Sequence, residues 1–189
     1  MLHRFLIALL PSAELSDQVI VLRAALHALI GSFSGRNTPP HITLCFLDLP
    51  DDCGPAIIEA IACGTKGQQG FRLHYNGITH FPDKRTIYID PVEKDAIAAV
   101  RTPIIAAFSA DEALAGAVRE TDHPHLTIAA GLKPGKFHAA WGMLAPHGLQ
   151  HEERAGEVVL LKRLLRAGER YEVAHRFPLE ARMGKITPR

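Results

Sequence analysis

The chain has 189 residues, of which 47% are hydrophobic and 22% are charged, and its formal net charge is +1. These values are typical of a globular protein that buries a core without disulfide or metal staples, so they exclude low-complexity disorder. The near-neutral charge also argues against bulk electrostatic binding of nucleic acid, because such binding needs many cations that neutralise phosphates together.

Cysteine usage and hydropathy indicate the compartment. The three cysteines, Cys45, Cys53 and Cys63, have no CxxC spacing, so they suggest neither a secreted disulfide scaffold nor a zinc knuckle. We therefore expect a cytoplasmic location. The apolar run from Phe5 to Leu10 lacks a signal-peptide cleavage site, and no run approaches the ~18–20 apolar residues of a membrane-spanning helix. We expect no membrane partner and interpret the opening run as a buried strand.

The first half of the chain predicts alternating strands and helices. After the opening strand, apolar residues recur at spacings of four and three up to a stop at Gly31, which predicts an amphipathic helix. Its apolar positions are Leu15, Val19, Leu22, Leu26 and Leu29. A loop over 31–40 leads into a strand at 41–47, and a shorter helix follows at 51–63. Two strands at 71–81 and 86–92, joined by a turn sequence at 82–85, predict a hairpin.

The second half repeats this order. A helix follows the strand at 86–92, and Pro103 predicts a kink in it or a restart capped by Thr102. The apolar positions of this helix are Ile97, Val100, Ile104 and Phe108. A loop then leads into a strand at 125–130, a helical stretch at 136–149 and a closing hairpin at 157–165 and 171–179.

The repeated order of strand, helix and second strand predicts the architecture. We expect an α+β fold in which residues 1–189 form a single bilobal domain. The two lobes are predicted to be similar, related by a pseudo-twofold axis, with an antiparallel sheet in each, helices outside and a cleft between them. A monomer is expected.

One short motif occurs once in each half. Pro, His, apolar, Thr, apolar stands at 40–44 and again at 124–128, whereas roughly 0.01 chance matches are expected from the composition. Alternate residues of a strand share a face, so His41 projects with Thr43, and His125 with Thr127. If the lobes pack symmetrically, both His/Thr faces meet at one cleft.

Two imidazoles and two hydroxyls around one small group suit phosphodiester chemistry. An imidazole titrates near neutrality, so one histidine can act as general base and the other as general acid. The threonine hydroxyls can bind the non-bridging phosphate oxygens. We expect His125 to activate water and His41 to protonate the leaving oxygen, with no metal and no cofactor required.

These motifs resemble those of the 2H phosphoesterase superfamily, in particular its RNA 2′,3′-cyclic phosphodiesterase or 2′-5′ RNA ligase branch. The resemblance extends to the opening strand, Phe46-Leu47, Phe81-Pro82 and the final hairpin. It implies a bilobal fold, catalytic His41 and His125, phosphate-binding Thr43 and Thr127, and hydrolysis of a 2′,3′-cyclic phosphate to a 2′-phosphate.

The chain also departs from that family. Related sequences often continue the second motif into a phosphate-binding Arg, whereas this chain has Ala129-Ala130. Cys45 stands where a basic residue is common after the first motif. Three arginines, Arg36, Arg85 and Arg119, are candidate replacements, although each also fits an ordinary surface position.

Other interpretations of these residues remain open. The two histidines can be structural, and His123 with His125 forms an HxH pair that could bind a metal. Cys45 shares strand parity with His41, so it faces either the cleft or the core.

Tyr88 and Tyr171 can stack on a base or pack in the sheet. The segment 154–189 carries nine basic and four acidic residues, so it either guides RNA or forms a solvated hairpin face.

The sequence therefore predicts a metal-independent phosphoesterase that opens a 2′,3′-cyclic phosphate at an RNA 3′-end or on a small cyclic nucleotide. Three alternatives remain: a 2′-5′ RNA ligase, a cyclic phosphodiesterase for ADP-ribose derivatives, and a catalytically silent module that binds nucleotides or RNA ends.

Overall fold

The computed structural model describes residues 1–81, 83, 85–121 and 123–181 of the chain. Within them, four helices lie at Ala13–Ile30 (α1), Gly54–Thr65 (α2), Lys94–Ser109 (α3) and Pro134–Leu144 (α4). The strands are Leu2–Leu9 (β1), Ile42–Pro50 (β2), Phe71–Phe81 (β3), Thr86–Pro91 (β4), Val118–Glu120 (β5), Leu126–Ala129 (β6), Gln150–Ala155 (β7), Glu157–Leu164 (β8) and Glu172–Pro178 (β9). The predicted α+β class is confirmed.

The strands of the described part form one antiparallel sheet in the order β7-β3-β4-β6-β2-β1-β8-β9, and β5 also pairs with β2. The order places β6, β4, β3 and β7 on one side of the centre, and β2, β1, β8 and β9 on the other. β2 and β6 meet at a single register pair, Ile42 and Leu126. The two strands that contain the HxT motifs are therefore neighbours at the middle of the sheet.

The four helices cover one face of this sheet. The main core contains α1, α2, α3 and α4 residues together with one face of the strands. A smaller cluster, built on Leu6, Ala8, Val159 and Leu161, lies on the opposite face of β1 and β8. We call this opposite face the concave face. None of the helices in the described ranges is long and apolar enough to cross a membrane.

Helix α1 forms as predicted, with one difference in its buried face. Ser12 caps its first turn by accepting a hydrogen bond from the backbone N–H of Leu15, and Gly31 ends it with a positive φ of 69°. Leu29, predicted as an apolar contact, is 54% exposed, whereas Arg23 is only 4% exposed. The apolar spacing could not reveal that a cation belongs to the buried stripe.

Several other boundaries differ from the prediction. The helix expected at 51–63 begins as a 3₁₀ turn at Asp51–Cys53 and becomes α-helical at Gly54. Of the two alternatives predicted at Pro103, the restart capped by Thr102 is wrong, because α3 runs through Pro103 and the Thr102 hydroxyl donates to the Ala98 carbonyl within the same helix. The stretch expected at 136–149 ends as a helix at Leu144.

The hairpin predicted at 71–92 is confirmed as β3 and β4, and the closing hairpin as β8 and β9. Two residues of the turn between β3 and β4, Pro82 and Lys84, lie outside the described residues, as does the end of the chain from 182 to 189. β5 and β7 were not predicted, because β5 is three residues long and β7 has a polar sequence, QHEERA.

The contact between α2 and α3 is closest at Gly64. A Cβ atom at this position would lie 2.6 Å from the Ile104 Cα and 2.7 Å from the Ile104 nitrogen. Backbone atoms of a packed helix move only with the helix, so a side chain here separates α2 from α3.

We therefore expect Gly64→Ala to lower the free energy of unfolding by about 1–3 kcal/mol, the usual effect of overpacking a core. The matched control is Gly142→Ala in α4, where the added Cβ meets nothing within 4 Å. The alanine reduces the conformational freedom of the unfolded chain, so we expect this variant to be more stable by about 0.4–1 kcal/mol. Chemical denaturation measures both variants, and equal effects of the two would contradict the close-contact argument.

Candidate active site

The two HxT motifs meet at the junction of β2 and β6. Continuing the Ile42–Leu126 register by one residue in each direction places His41 opposite Thr127 and Thr43 opposite His125. Ile42 and Leu126 are fully buried in the main core, so the four polar side chains lie on the concave face. Diagonal neighbours such as His41 and His125 lie about 7–8 Å apart in an antiparallel pair, with their Cβ atoms somewhat closer.

A β-bulge follows each threonine. On β2, Thr43 pairs with Ala8 and Cys45 with Ile7, so Leu44 is the extra residue. On β6, Thr127 pairs with Tyr88 and Ala129 with Ile87, so Ile128 is the extra residue. The bulges turn two successive side chains into the core on both strands.

The bulge decides between the two orientations that strand parity left open for Cys45. Cys45 is fully buried in the main core and does not face the cleft. Burial raises the pKa of its thiol to about 12, with a smaller contribution from Glu120. A thiol in this state is not a nucleophile at neutral pH.

Both histidines are held in the same way. The Nδ1 atoms of His41 and His125 each lie 2.7 Å from the carbonyl oxygen two residues earlier, that of Pro39 and of His123. A carbonyl only accepts, so Nδ1 carries the proton and the neutral ring has its lone pair on Nε2. Burial lowers the pKa of His41, and the charges of Arg23 and His125 lower it further, against the hydrogen bond to Pro39 that raises it.

Aromatic rings form the wall of the site beside His125. Phe81 stacks on Tyr88 with ring centroids 4.3 Å apart. Both rings meet the His125 ring edge-to-face, with centroid distances of 5.1 and 5.2 Å. Tyr88 is 5% exposed, so it packs within the site wall and does not offer an open platform for a base.

His123 lies next to this wall. Its Nε2 is 3.4 Å from the Tyr88 hydroxyl and 3.6 Å from an Asp90 carboxylate oxygen. Its ring centroid is 6.4 Å from that of His125. Among the residues that the structure describes, no three metal-binding side chains gather into a potential metal site.

Two of the three candidate arginines bind backbone carbonyls, and the third is exposed. Arg85 donates to the Leu132 carbonyl at 2.7 Å, Arg119 donates to the Val118 carbonyl at 3.2 Å, and Arg36 is exposed in the loop after α1. The cation that does reach the motif backbone is Arg23, which the sequence analysis missed. Its guanidinium donates to the carbonyls of Thr127 (2.7 Å) and Thr38 (2.5 Å).

A basic cavity of about 440 Å³ opens on the concave face beyond the motifs. Its lining includes Arg4, Arg163, Arg170, Glu169 and Tyr171, together with the loop residues Ser34, Gly35, Asn37 and Thr38. The Arg163 guanidinium lies 5.2 Å from the centre of the Tyr171 ring, so this tyrosine partners an arginine.

Arg4 is neutralised within this cavity. It forms two hydrogen bonds with the Asp48 carboxylate, at 2.8 and 2.6 Å, and these bonds hold the pKa of Asp48 below its usual range. Arg163 and Arg170 form no ion pair with a carboxylate of the described residues.

One protein family matches most of the chain. Residues 9–166 match the family model described as the 2′-5′ RNA ligase superfamily. Comparison with curated proteins found no match.

Solved structures share the fold. TT0787 of Thermus thermophilus superposes with a TM-score of 0.66 at 16% identity, over 95% of this chain and all of the other. A protein described as a phosphoesterase gives 0.63 at 19% identity, over 95% and 99% of the two chains. E. coli LigT complexed with 3′-AMP gives 0.63 at 18% identity, over 94% and 98%.

Proposed function

The chain belongs to the 2′-5′ RNA ligase superfamily, and from this membership and the site geometry we propose that it hydrolyses a 2′,3′-cyclic phosphate to a 2′-phosphate. One observation carries the proposal: two His/Thr pairs face one another across the Ile42–Leu126 junction, each histidine with its Nδ1 held by a carbonyl. That arrangement surrounds one phosphate with two proton-transfer groups and two hydroxyl donors. The phosphate and nucleotide complexes of E. coli LigT support a ligand of this class.

The proposed reaction is an in-line displacement at phosphorus. One neutral imidazole accepts a proton at Nε2 from water as the water oxygen bonds to phosphorus. The bond from phosphorus to the ribose 3′-oxygen breaks, and the other imidazole, protonated, donates its Nε2 proton to that oxygen. The products are a 2′-phosphate and a free 3′-hydroxyl. Thr43 and Thr127 donate hydrogen bonds to the non-bridging oxygens, where negative charge increases in the transition state.

The environment of His41 favours the opposite role assignment to the one inferred from the sequence. Burial and the nearby charges of Arg23 and His125 lower its pKa, so the ring is neutral at rest. A neutral ring is the form that accepts a proton. We therefore propose His41 as the general base and His125 as the general acid in hydrolysis.

We expect His41→Gln and His125→Gln each to lower kcat for 2′,3′-cyclic CMP by at least about a hundredfold, the usual contribution of acid-base groups. The assay is run in EDTA, because the scheme uses no metal. The matched control is His147→Gln, an exposed histidine after α4, which should retain full activity. Undiminished turnover in both motif variants would contradict the mechanism, and nucleotide binding without turnover in the parent protein would favour a silent binding module.

A substrate with sulfur at the 3′-bridging position separates the two roles. A thiolate leaves without protonation, since its conjugate acid has a pKa of about 8.5, so the general acid becomes dispensable. We expect His125→Gln to recover most of its lost rate on this substrate, whereas His41→Gln stays impaired. Recovery by His41→Gln instead would restore the sequence-based assignment. Single-turnover kinetics with both substrates make the comparison.

The basic cavity favours an RNA end over a free mononucleotide. On β1, Ala8 pairs with Thr43 on one side and with Val159 of β8 on the other. Arg163 lies four residues further along β8, where it pairs with Arg4. At about 3.4 Å per residue, Arg163 lies roughly 14 Å from the motif row. The floor between them is apolar, formed by Leu6, Phe46 and Leu161. An RNA strand with its terminal phosphate at the motifs would therefore cross this floor and meet the arginines with a phosphate farther along the strand.

We expect the double variant Arg163→Gln/Arg170→Gln to reduce kcat/KM for an oligonucleotide with a 2′,3′-cyclic end by about tenfold and to weaken its salt dependence, because fewer phosphates are neutralised. Activity on 2′,3′-cyclic CMP should not change. Lys66→Gln/Arg72→Gln, which removes the same charge from exposed positions near β3, is the control. Equal losses on both substrates would argue against a cavity that recognises RNA.

A further inference from the structure

Arg23 joins the two motif segments from the helix side of the sheet. Its Nη1 donates to the Thr38 carbonyl, three residues before His41. Its Nη2 and Nε donate to the carbonyls of Thr127 (2.7 Å) and Ile128 (3.2 Å), at the bulge of β6. One side chain on α1 thus fixes the loop that delivers the first histidine and the strand that carries the second threonine.

The charge on Arg23 is unusual for its position. The side chain is 4% exposed, and no carboxylate of the described residues forms an ion pair with it. Burial lowers its pKa to about 10, which still leaves the guanidinium charged at neutral pH. A buried cation without a counterion is destabilising unless something else compensates it, and here three backbone carbonyl oxygens accept hydrogen bonds from the guanidinium. An anion on the concave face would be attracted by the same charge.

We propose that Arg23 is a positioning residue that fixes the His41 and Thr127 segments relative to one another and supplies, from behind the sheet, a positive charge close to the proposed phosphate position. The guanidinium positions the backbone of both segments by hydrogen bonds, and its charge acts electrostatically on the site. It does not contact the phosphate. The kinetic part of this inference rests on the proposed function, whereas the coupling between Arg23 and His41 does not.

The electrostatic part has a definite sign. The ionisable groups that act on His41 are Arg23 from α1 and His125 from the facing motif, and both disfavour the imidazolium form. Removing the Arg23 charge therefore raises the pKa of His41. If His41 is the base, the acidic limb of the pH–rate profile moves to higher pH, because that limb reports the base of the free enzyme.

Two variants separate charge from positioning. Arg23→Gln removes the charge, and Arg23→Lys keeps it but replaces the planar fork of donors with a point donor that cannot hold three carbonyls in the same geometry. The first readout is the His41 titration, followed by NMR of the imidazole resonances in the full-length protein and assigned with His41→Gln. We expect the titration to move to higher pH in Arg23→Gln and to stay in place in Arg23→Lys.

The second readout is binding of inorganic phosphate, measured by calorimetry. We expect Arg23→Gln to weaken it by about tenfold, which corresponds to about 1.4 kcal/mol, and Arg23→Lys to retain most of it. The third readout is the turnover of 2′,3′-cyclic CMP. Arg23→Lys should lower kcat by about tenfold or more with little change in KM, the pattern of a lost alignment in the transition state.

Arg101→Gln is the matched control. This partly buried arginine on α3 also donates to a loop carbonyl, that of Thr121, and it should leave the His41 titration unchanged. Should Arg23→Gln fail to fold, Arg23→Met removes the charge without burying an amide, and Arg23→Lys alone still tests the positioning part.

An unchanged His41 titration in the charge-removed variant would overturn the electrostatic role, and wild-type kcat in Arg23→Lys would overturn the positioning role. Absence of cyclic-phosphate hydrolysis in the parent protein would instead refute the proposed function, and the His41 titration would still decide the coupling.

Discussion

Two strands of this sheet touch at one backbone pair, Ile42 with Leu126, and the geometry of the candidate site depends on that contact. Because the pair is buried, the residues on either side of it, His41 with Thr43 and His125 with Thr127, must lie on the opposite face. Because the strands are antiparallel, each histidine comes to lie across from the other motif's threonine. A slip of one residue would exchange the two faces and bury the imidazoles.

Arg23 compensates a cost that the bulge of β6 creates. A strand that bulges leaves carbonyls without ladder partners, and a buried carbonyl without a donor is destabilising by about 1–3 kcal/mol. On β6, Arg23 donates to the carbonyls of Thr127 and Ile128. The same guanidinium compensates the backbone and places a fixed charge near the proposed phosphate position. This explains why a cation can be stable in the middle of the buried face of α1.

The sequence predicts this fold well wherever the signal is local. The HxT repeats, the α1 stop at Gly31 and the hairpin of β3 and β4 follow from spacing and turn residues, and the structure contains each element. The sequence does not predict features that depend on contacts between residues far apart in the chain. Cys45 is turned inward by a bulge that is defined only by its pairing with Ile7, and two of the three carbonyls that bind the buried Arg23 lie about a hundred residues away in the chain. β7 has no apolar run that would identify it in the sequence, and it forms a strand because it pairs with β3.

The two halves of the junction are alike in backbone and different in side chains, and this difference allows identical motifs to take unlike roles. Opposite Thr127 stands Tyr88, whereas the equivalent position opposite Thr43 is Ala8. His125 is thus enclosed by aromatic rings, while the charge of Arg23 acts on His41. Acid-base catalysis requires one imidazole that is neutral and one that is protonated at the same pH, so a strictly symmetric site would work against itself. In the proposed mechanism, the asymmetry of the surrounding residues, and not the HxT motif, therefore distinguishes the base from the acid.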